Sequence, residues 1–87
     1  MKTVVVNKYT DEFDILITRE SKWGNPFIIG KDGTREEVIE KYEVYLRENI
    51  ELLLCLEELR GKRLGCVCEP LPCHGRILVK LLNEKEI

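Results

Sequence analysis

The sequence lacks long apolar runs and lacks an excess of basic residues. No apolar run approaches the roughly 20 residues of a membrane-spanning helix, and the N-terminus has no apolar region of the signal-peptide kind. We therefore expect a cytoplasmic protein with no membrane association. Lys and Arg number 14 against 16 Asp and Glu, which gives a net charge of -2, so we expect no general DNA binding.

Proline and glycine are not enriched, with 3 Pro and 6 Gly in 87 residues, while hydrophobic residues make up 44% of the chain. This composition favours a folded domain over a disordered or collagen-like chain. The length predicts a single domain over residues 1–87. Because so short a chain has a small core, a metal, a disulfide or a partner subunit would add useful stability. A homo-oligomer is therefore one of the possibilities.

Local patterns predict the element order β-β-α(α)-β-α. Two β-branched runs, residues 3–7 and 14–18, are typical of strands, and we expect them to be neighbours in the sheet. Thr34 and Glu37 form a capping-box pattern, so a helix should begin at about Arg35.

The second half of the chain continues this alternation. The helical periodicity loses phase near Glu48 and Asn49, which predicts a break or two successive helices ending before Gly61. Residues 62–68 have strand character and residues 75–83 are helix-periodic. We therefore expect an α/β fold, a small three-layer or two-layer sandwich with a partly parallel sheet.

Four residues near the third strand have side chains that bind metals: Cys66, Cys68, Cys73 and His74. Residues i and i+2 of a strand point to the same face, so the first two sulfurs can converge, and the following loop can return the other two ligands. This arrangement predicts a candidate zinc site, which would stabilise a small core. The usual signature is instead a pair of C-x2-C motifs, and adjacent ligands are hard to aim at one ion.

A second interpretation makes Cys73 and His74 candidate catalytic residues. Cys73 lies just before a predicted helix, where N–H groups and the helix dipole favour a thiolate. A third interpretation is structural, because free cysteine is among the most buried residue types. For Cys55, within a leucine-rich helix, we favour the structural interpretation.

Ligands of open α/β sheets lie beyond the carboxyl ends of the strands. Two loops meet this condition here, one after the second strand and one after the third. They offer an aromatic ring for stacking, hydrogen-bond donors and a helix N-terminus that favours anions. The alternative is that Trp23 and Phe27 fill the edge of the core. The candidate ligand-binding residues of the two loops are Arg19, Lys22, Trp23, Asn25, Gly75 and Arg76.

Several motifs together resemble one known family. They are Val6-Asn7, Trp23-Gly24-Asn25-Pro26-Phe27, Gly33-Thr34-Arg35-Glu36-Glu37, and Leu64-Gly65-Cys66-Val67-Cys68 followed by Pro70, Pro72, Cys73, His74 and Gly75. The chain resembles the family catalogued as domain of unknown function 4326, small proteins of phages and bacteria. The match runs in order along nearly the whole chain, and it adds Asn7 to the candidate ligand-binding residues.

The resemblance leaves the reaction open, and its phage setting implies nucleotide or nucleic-acid metabolism as the context. One departure is Val67, where family members often have Trp between the two cysteines. A ring that contacted a ligand in those proteins would be absent here, which would change the affinity or the ligand.

Three functions follow from these patterns. The first is a small ligand-binding domain for an anionic, nucleotide-like or phosphate-bearing molecule, with a Cys/His-rich loop that binds zinc in one version. The second is a cysteine- or zinc-dependent enzyme that acts on a nucleotide or a modified base. The third is a phage-type interaction or inhibitor module with a protein partner.

Overall fold

The computed structural model describes residues 2–67, 71 and 73–85. Its three strands are β1 (Val4–Asn7), β2 (Ile15–Leu16) and β3 (Arg63–Cys66). Both β1 and β2 pair with β3 in parallel, which gives the strand order β1-β3-β2. The predicted α/β fold class is confirmed.

The prediction that the first two strands are neighbours is wrong, because β3 lies between them. Adjacent parallel strands need a crossover connection of about a dozen residues or more. The link at residues 8–14 is too short for that crossover. The long helical segment between β2 and β3 supplies one, so β3 takes the central position.

In the described residues three α-helices accompany the sheet: α1 (Arg35–Glu48), α2 (Ile50–Cys55) and α3 (Gly75–Lys85), with a 3-10 turn at Leu56–Leu59. None of the helices in the described part of the chain combines the length and the apolar character needed to cross a bilayer.

The predicted capping box starts α1. The Thr34 hydroxyl accepts from the Glu37 amide at 3.3 Å, and the Glu37 carboxylate accepts from the Thr34 amide at 2.8 Å. The predicted break is also present. Asn49 ends α1 through its own N–H, and its side-chain oxygen accepts from the Leu52 amide at 3.2 Å to start α2. One short polar residue therefore ends the first helix and starts the second.

A single buried cluster joins the sheet to the helices, and α3 packs against both α1 and β1. Burial of such aliphatic and aromatic side chains is the main stabilising term in a chain of this size. The largest fully buried side chains are Trp23, Tyr42, Ile17, Leu46, Leu56, Leu59, Leu64, Leu78 and Leu82.

The strand register brings three chain segments to one edge of the sheet. Asn7 aligns with Cys66, and Leu16 aligns with Gly65. Because all three strands are parallel, their carboxyl ends meet there. The segments that leave the strands at this edge form the site described next.

Candidate functional site

A cleft of about 440 Å³ opens at the carboxyl edge of the sheet. Its walls come from the segment after each strand, from the first two turns of α1 and from the residues just before α3. This is the position at which open α/β sheets bind ligands. The lining residues are Lys8, Tyr9, Thr18, Arg19, Glu20, Asn25, Phe27, Ile28, Ile29, Arg35, Val38, Ile39, Cys66, Val67, Cys73 and His74.

The charged side chains of the cleft are mostly basic. Among the described residues, Lys8, Arg19 and Arg35 line it together with one carboxylate, Glu20. The Glu20 carboxylate accepts a hydrogen bond from the Thr18 hydroxyl at 2.5 Å. The Arg19 Nε donates to the Asn25 carbonyl at 3.4 Å. These three cations, against one anion in the part of the lining that the structure describes, favour a negatively charged ligand.

Part of the lining of the cleft is apolar, and we call this part the apolar wall. Phe27 lies edge-on to the Tyr45 ring, with centroids 6.3 Å apart. Ile29 and Val67 remain 48% and 51% exposed, so apolar surface faces the open space. Ile39, from α1, lines the same wall. The cleft therefore combines a cationic rim with an apolar wall.

The loop that carries Asn25 is tied to α1 by its amide. Nδ2 of Asn25 donates to the Val38 carbonyl at 3.1 Å, and its oxygen accepts from the Phe27 amide at 2.9 Å. The preceding Gly24 permits a close chain approach, because a Cβ there would lie 2.5 Å from the Cα of Arg19. Asn25 thus lines the cleft, but its amide also holds the loop in place.

Trp23 lies behind the cleft and not in its wall. Its side chain is 1% exposed, its Nε1 donates to Glu58 at 3.2 Å, and its carbonyl accepts from the Tyr42 hydroxyl at 2.8 Å. The indole presents no open face, so the predicted stacking role does not fit this position. In a small core the largest apolar side chain is the one with most to gain from burial.

Lys22 also lies away from the cleft. Its ammonium is 2.8 Å from the Glu58 carboxylate and 5.4 Å from the centre of the Trp23 ring. The hydrogen bond to Glu58 raises the pKa of Lys22 above its ordinary value. This cation covers the buried indole and does not line the cleft.

Three further predicted ligand-binding residues do not line the cleft. The Asn7 side-chain oxygen accepts from the Tyr9 amide at 2.8 Å and shapes the turn after β1. Gly75 is buried, and a Cβ there would lie 2.8 Å from Ile17 Cδ1, so its missing side chain serves core packing and not ligand access. Arg76 is exposed on α3 and borders a different surface depression.

The first backbone amides of α3 already donate hydrogen bonds to groups of the same segment. The N–H groups of Gly75, Arg76 and Ile77 donate to the Cys73 sulfur, the Cys73 carbonyl and the His74 carbonyl, at 3.3, 3.1 and 3.0 Å. We predicted that this helix N-terminus would hold an anion. These internal partners leave the basic side chains of the rim as the stronger anion-binding groups.

His74 is held in one tautomer. Its Nε2 lies 2.7 Å from the Ile17 carbonyl, which can only accept, so Nε2 carries the proton of the neutral ring. The ring packs edge-on against Tyr42 at 4.9 Å. Burial lowers the pKa of His74 below its ordinary value of 6.5; the Ile17 and Trp23 carbonyls oppose this shift, and the Arg19 charge adds to it.

Cys66 and Cys73 adjoin at the base of the cleft. Their Sγ atoms are 3.4 Å apart, and both residues are buried. Cys68, the third predicted sulfur ligand, lies outside the described residues. Among the residues that the structure describes, no group of three or more His, Cys, Asp or Glu could hold a metal ion. Zinc at Cys66, Cys68, Cys73 and His74 therefore stays a prediction.

The cleft residues that were not predicted as ligand-binding candidates include Lys8, Tyr9, Glu20 and Arg35. Lys8 and Tyr9 directly follow β1, so a fully parallel sheet would have brought them to the same edge. Because we expected β1 and β2 to be adjacent, we did not place Lys8 and Tyr9 at this edge. Arg35 is the first residue of α1, and its place beside Arg19 depends on how α1 crosses the loop.

A family described as "Domain of unknown function (DUF4326)" matches residues 4–84. The chain is 45% identical over 85 residues to an "Uncharacterized 12.4 kDa protein in nrdA-td intergenic region" of Enterobacteria phage T4, covering 92% of this chain and 77% of that protein.

A second relative is an uncharacterized protein of Acanthamoeba polyphaga mimivirus, 39% identical over 70 residues. That alignment covers 71% of this chain and 53% of the relative, so the chain spans about half of the relative's length. No solved structure matches the chain. The family match and the phage relative together confirm the resemblance seen in the motifs, and the chain belongs to the DUF4326 family.

Proposed function

We propose that this protein binds a small phosphate-bearing, nucleotide-like ligand in the cleft at the carboxyl edge of its sheet. The observation that carries the proposal is that three basic side chains and an apolar wall line one cleft. The phosphate contacts the basic rim of Lys8, Arg19 and Arg35. The base lies against the apolar wall that includes Phe27 and Val67.

The charge balance of the cleft supports binding of the phosphate group. Guanidinium groups present planar pairs of donors that match phosphate oxygens, and an ammonium adds a point charge. Arg19 and Arg35 supply the guanidinium groups, and Lys8 supplies the ammonium. The Glu20 carboxylate can accept from a ribose hydroxyl or an exocyclic amine.

The volume and shape of the cleft support binding of the base of the nucleotide. About 440 Å³ lies within the roughly 300–1,000 Å³ typical of small-molecule sites. Phe27 and the aliphatic side chains Ile29, Ile39 and Val67 give a surface on which a flat, weakly polar ring system is removed from water. A free inorganic anion would leave this wall uncovered, which is why a nucleotide fits better than phosphate alone.

The test is thermal and chemical unfolding with adenosine 5′-monophosphate, adenosine and inorganic phosphate. At a hundredfold excess over Kd the nucleotide should stabilise the protein by about 2.7 kcal/mol. Adenosine and phosphate should each act more weakly, and added salt should reduce the nucleotide effect. If neither this nucleotide nor a panel of others shifts the unfolding midpoint, the proposal is wrong.

A matched pair of variants locates the effect. Arg19 lines the cleft, whereas Arg76 is exposed on α3 outside it. Arg19→Ser should weaken nucleotide binding at least about tenfold, since hydrogen bonds to charged groups contribute about 1.5–3 kcal/mol. Arg76→Ser should leave the affinity unchanged, and equal losses in both variants would point to non-specific electrostatics.

A thiol-dependent reaction on the same ligand is the second candidate. It is favoured by the presence of Cys73 and His74 in the cleft wall. It is weakened by the direction of His74 Nε2, which donates to the Ile17 carbonyl. Turnover of a bound nucleotide that disappears in Cys73→Ser while binding persists would support it; turnover that survives the substitution would exclude thiol catalysis.

A further inference from the structure

We propose that Cys66 and Cys73 are an oxidation site, a pair of thiols that hydrogen peroxide converts reversibly into a disulfide. The inference goes beyond ligand binding and does not depend on it. It rests on the placement of the two sulfurs, which come from the end of β3 and from the residue just before α3.

The two sulfurs are close enough to bond after a small movement. The Sγ atoms lie 3.4 Å apart, and a disulfide requires about 2.05 Å. A movement of little more than 1 Å therefore forms the bond. Cys55 is on α2 and is only half-buried, so it provides a thiol in the same chain outside this pair.

The backbone next to Cys73 contacts its sulfur. The Gly75 N–H donates to its sulfur at 3.3 Å, at the start of an 11-residue helix. This contact holds the Cys73 sulfur beside the Cys66 sulfur, so we assign Cys73 as the sulfur that reacts with peroxide and Cys66 as the resolving thiol. Both cysteines line the cleft, which gives a small oxidant a route to sulfurs that are otherwise buried.

The chemistry balances with peroxide as the oxidant. The Cys73 thiolate attacks one oxygen, the O–O bond breaks, and the departing hydroxide takes up the proton of the original thiol to leave as water. Cys73 is then a sulfenic acid. The Cys66 sulfur attacks the Cys73 sulfur, the S–O bond breaks, and the Cys66 proton leaves with a second water. Two thiols are oxidised to one disulfide while one peroxide is reduced to two waters.

The experiment treats reduced, folded protein with a small molar excess of hydrogen peroxide, alkylates the remaining thiols, and analyses the tryptic peptide of residues 64–76. This peptide carries Cys66, Cys68 and Cys73. The expected product has lost two hydrogens and carries one alkyl group; after reduction and alkylation with a second reagent of different mass, fragmentation places the first alkyl group on Cys68. Dithiothreitol should restore three alkylation sites.

Variants and a denatured control test whether the fold directs the pairing. Cys68→Ser and Cys55→Ser should still form the bond, whereas Cys66→Ser and Cys73→Ser should not. In guanidinium chloride the wild type should give mixed pairings. A bond that includes Cys68 or Cys55, the same mixture with and without denaturant, or sulfinic acids with no disulfide would each overturn the proposal. The wild-type fragmentation decides the question even where a cysteine variant fails to fold.

Discussion

The loop after β2 (residues 17–29) has two sides that differ in what they contact. On one side Trp23 is buried in the core, with both its indole N–H and its carbonyl hydrogen-bonded. On the other side Arg19 and Phe27 line the cleft. A small fold thus uses one loop for two purposes, because the buried side fixes the shape that the cleft side presents.

The start of α3 shows the same division over two consecutive residues. Gly75 faces the buried side chains of the sheet, while His74 lines the cleft. Substitutions on the buried side should reduce the free energy of unfolding, and substitutions on the cleft side should reduce ligand binding.

The largest effect is expected for Trp23→Ala. Removal of a fully buried aromatic side chain should lower the free energy of unfolding by about 3–5 kcal/mol, measured by denaturant titration. Phe27→Ala, at a half-buried cleft position, should cost less. If Trp23→Ala unfolded like the wild type but lost ligand binding, the indole would belong to the site and the comparison would fail.

Gly75→Ala should give the next largest effect. A Cβ at this position would meet Ile17 Cδ1 at 2.8 Å and Val5 Cγ2 at 2.9 Å. Overpacking of this kind costs about 1–3 kcal/mol, more than the helix propensity gained from alanine. Arg76→Ala, on the exposed side of the same turn, is the control and should leave the unfolding midpoint nearly unchanged. A stabilised Gly75→Ala protein would contradict the close packing.

The imidazole of His74 should make stability depend on pH. Burial lowers the pKa of His74, so the folded state disfavours the charged ring. Its contribution is fully present above the unfolded pKa of about 6.5 and is lost as the pH falls through the folded value. Each tenfold difference in proton affinity between the two states corresponds to about 1.4 kcal/mol.

Urea titrations between about pH 7.5 and pH 5 measure this loss, because the unfolded pKa values of Asp and Glu lie below that window. Among the carboxyls, the hydrogen bond to Arg63 lowers the pKa of Asp14 to about 2. Its contribution would be lost only between pH 3.8 and about 2. A His74→Gln control should flatten the dependence in the higher window. An unchanged slope would show that another group is responsible.

The smallest effect on stability is expected for Arg19→Ser. The side chain is exposed and its nitrogen makes a long bond to a loop carbonyl at 3.4 Å. The free energy of unfolding should therefore change by no more than about 0.5 kcal/mol. Its nucleotide response should fall nonetheless, which separates the two sides of the loop. A large loss of stability would show that Arg19 holds the loop and does not act only as a ligand-binding group.

The sequence predicted the features that depend on local signals. The capping residues Thr34 and Glu37 and the turning residue Asn49 act within one helical turn, so the start and the break of the helices could be predicted. The order of the strands could not, because it depends on contacts between β3 and segments about 50 to 60 residues away in the chain.

The candidate site was predicted only in part for the same reason. Cys73, Asn25 and Arg19 were placed at the correct edge by the rule for parallel sheets. The orientation of Trp23 was open, since an indole suits either a core or a ligand, and only its packing against the helices decides between them. Lys8 was missed because the first strand was paired wrongly.

The central claim is that the cleft, and no other surface, binds the nucleotide. Titration of isotope-labelled protein with adenosine 5′-monophosphate, followed by the chemical shifts of the backbone amides, tests it most directly. The largest changes should fall on the amides of Lys8, Arg19, Ile29, Arg35 and His74, which border the cleft. Changes centred instead on the exposed side of α3 around Arg76, or no saturable changes at all, would contradict the account.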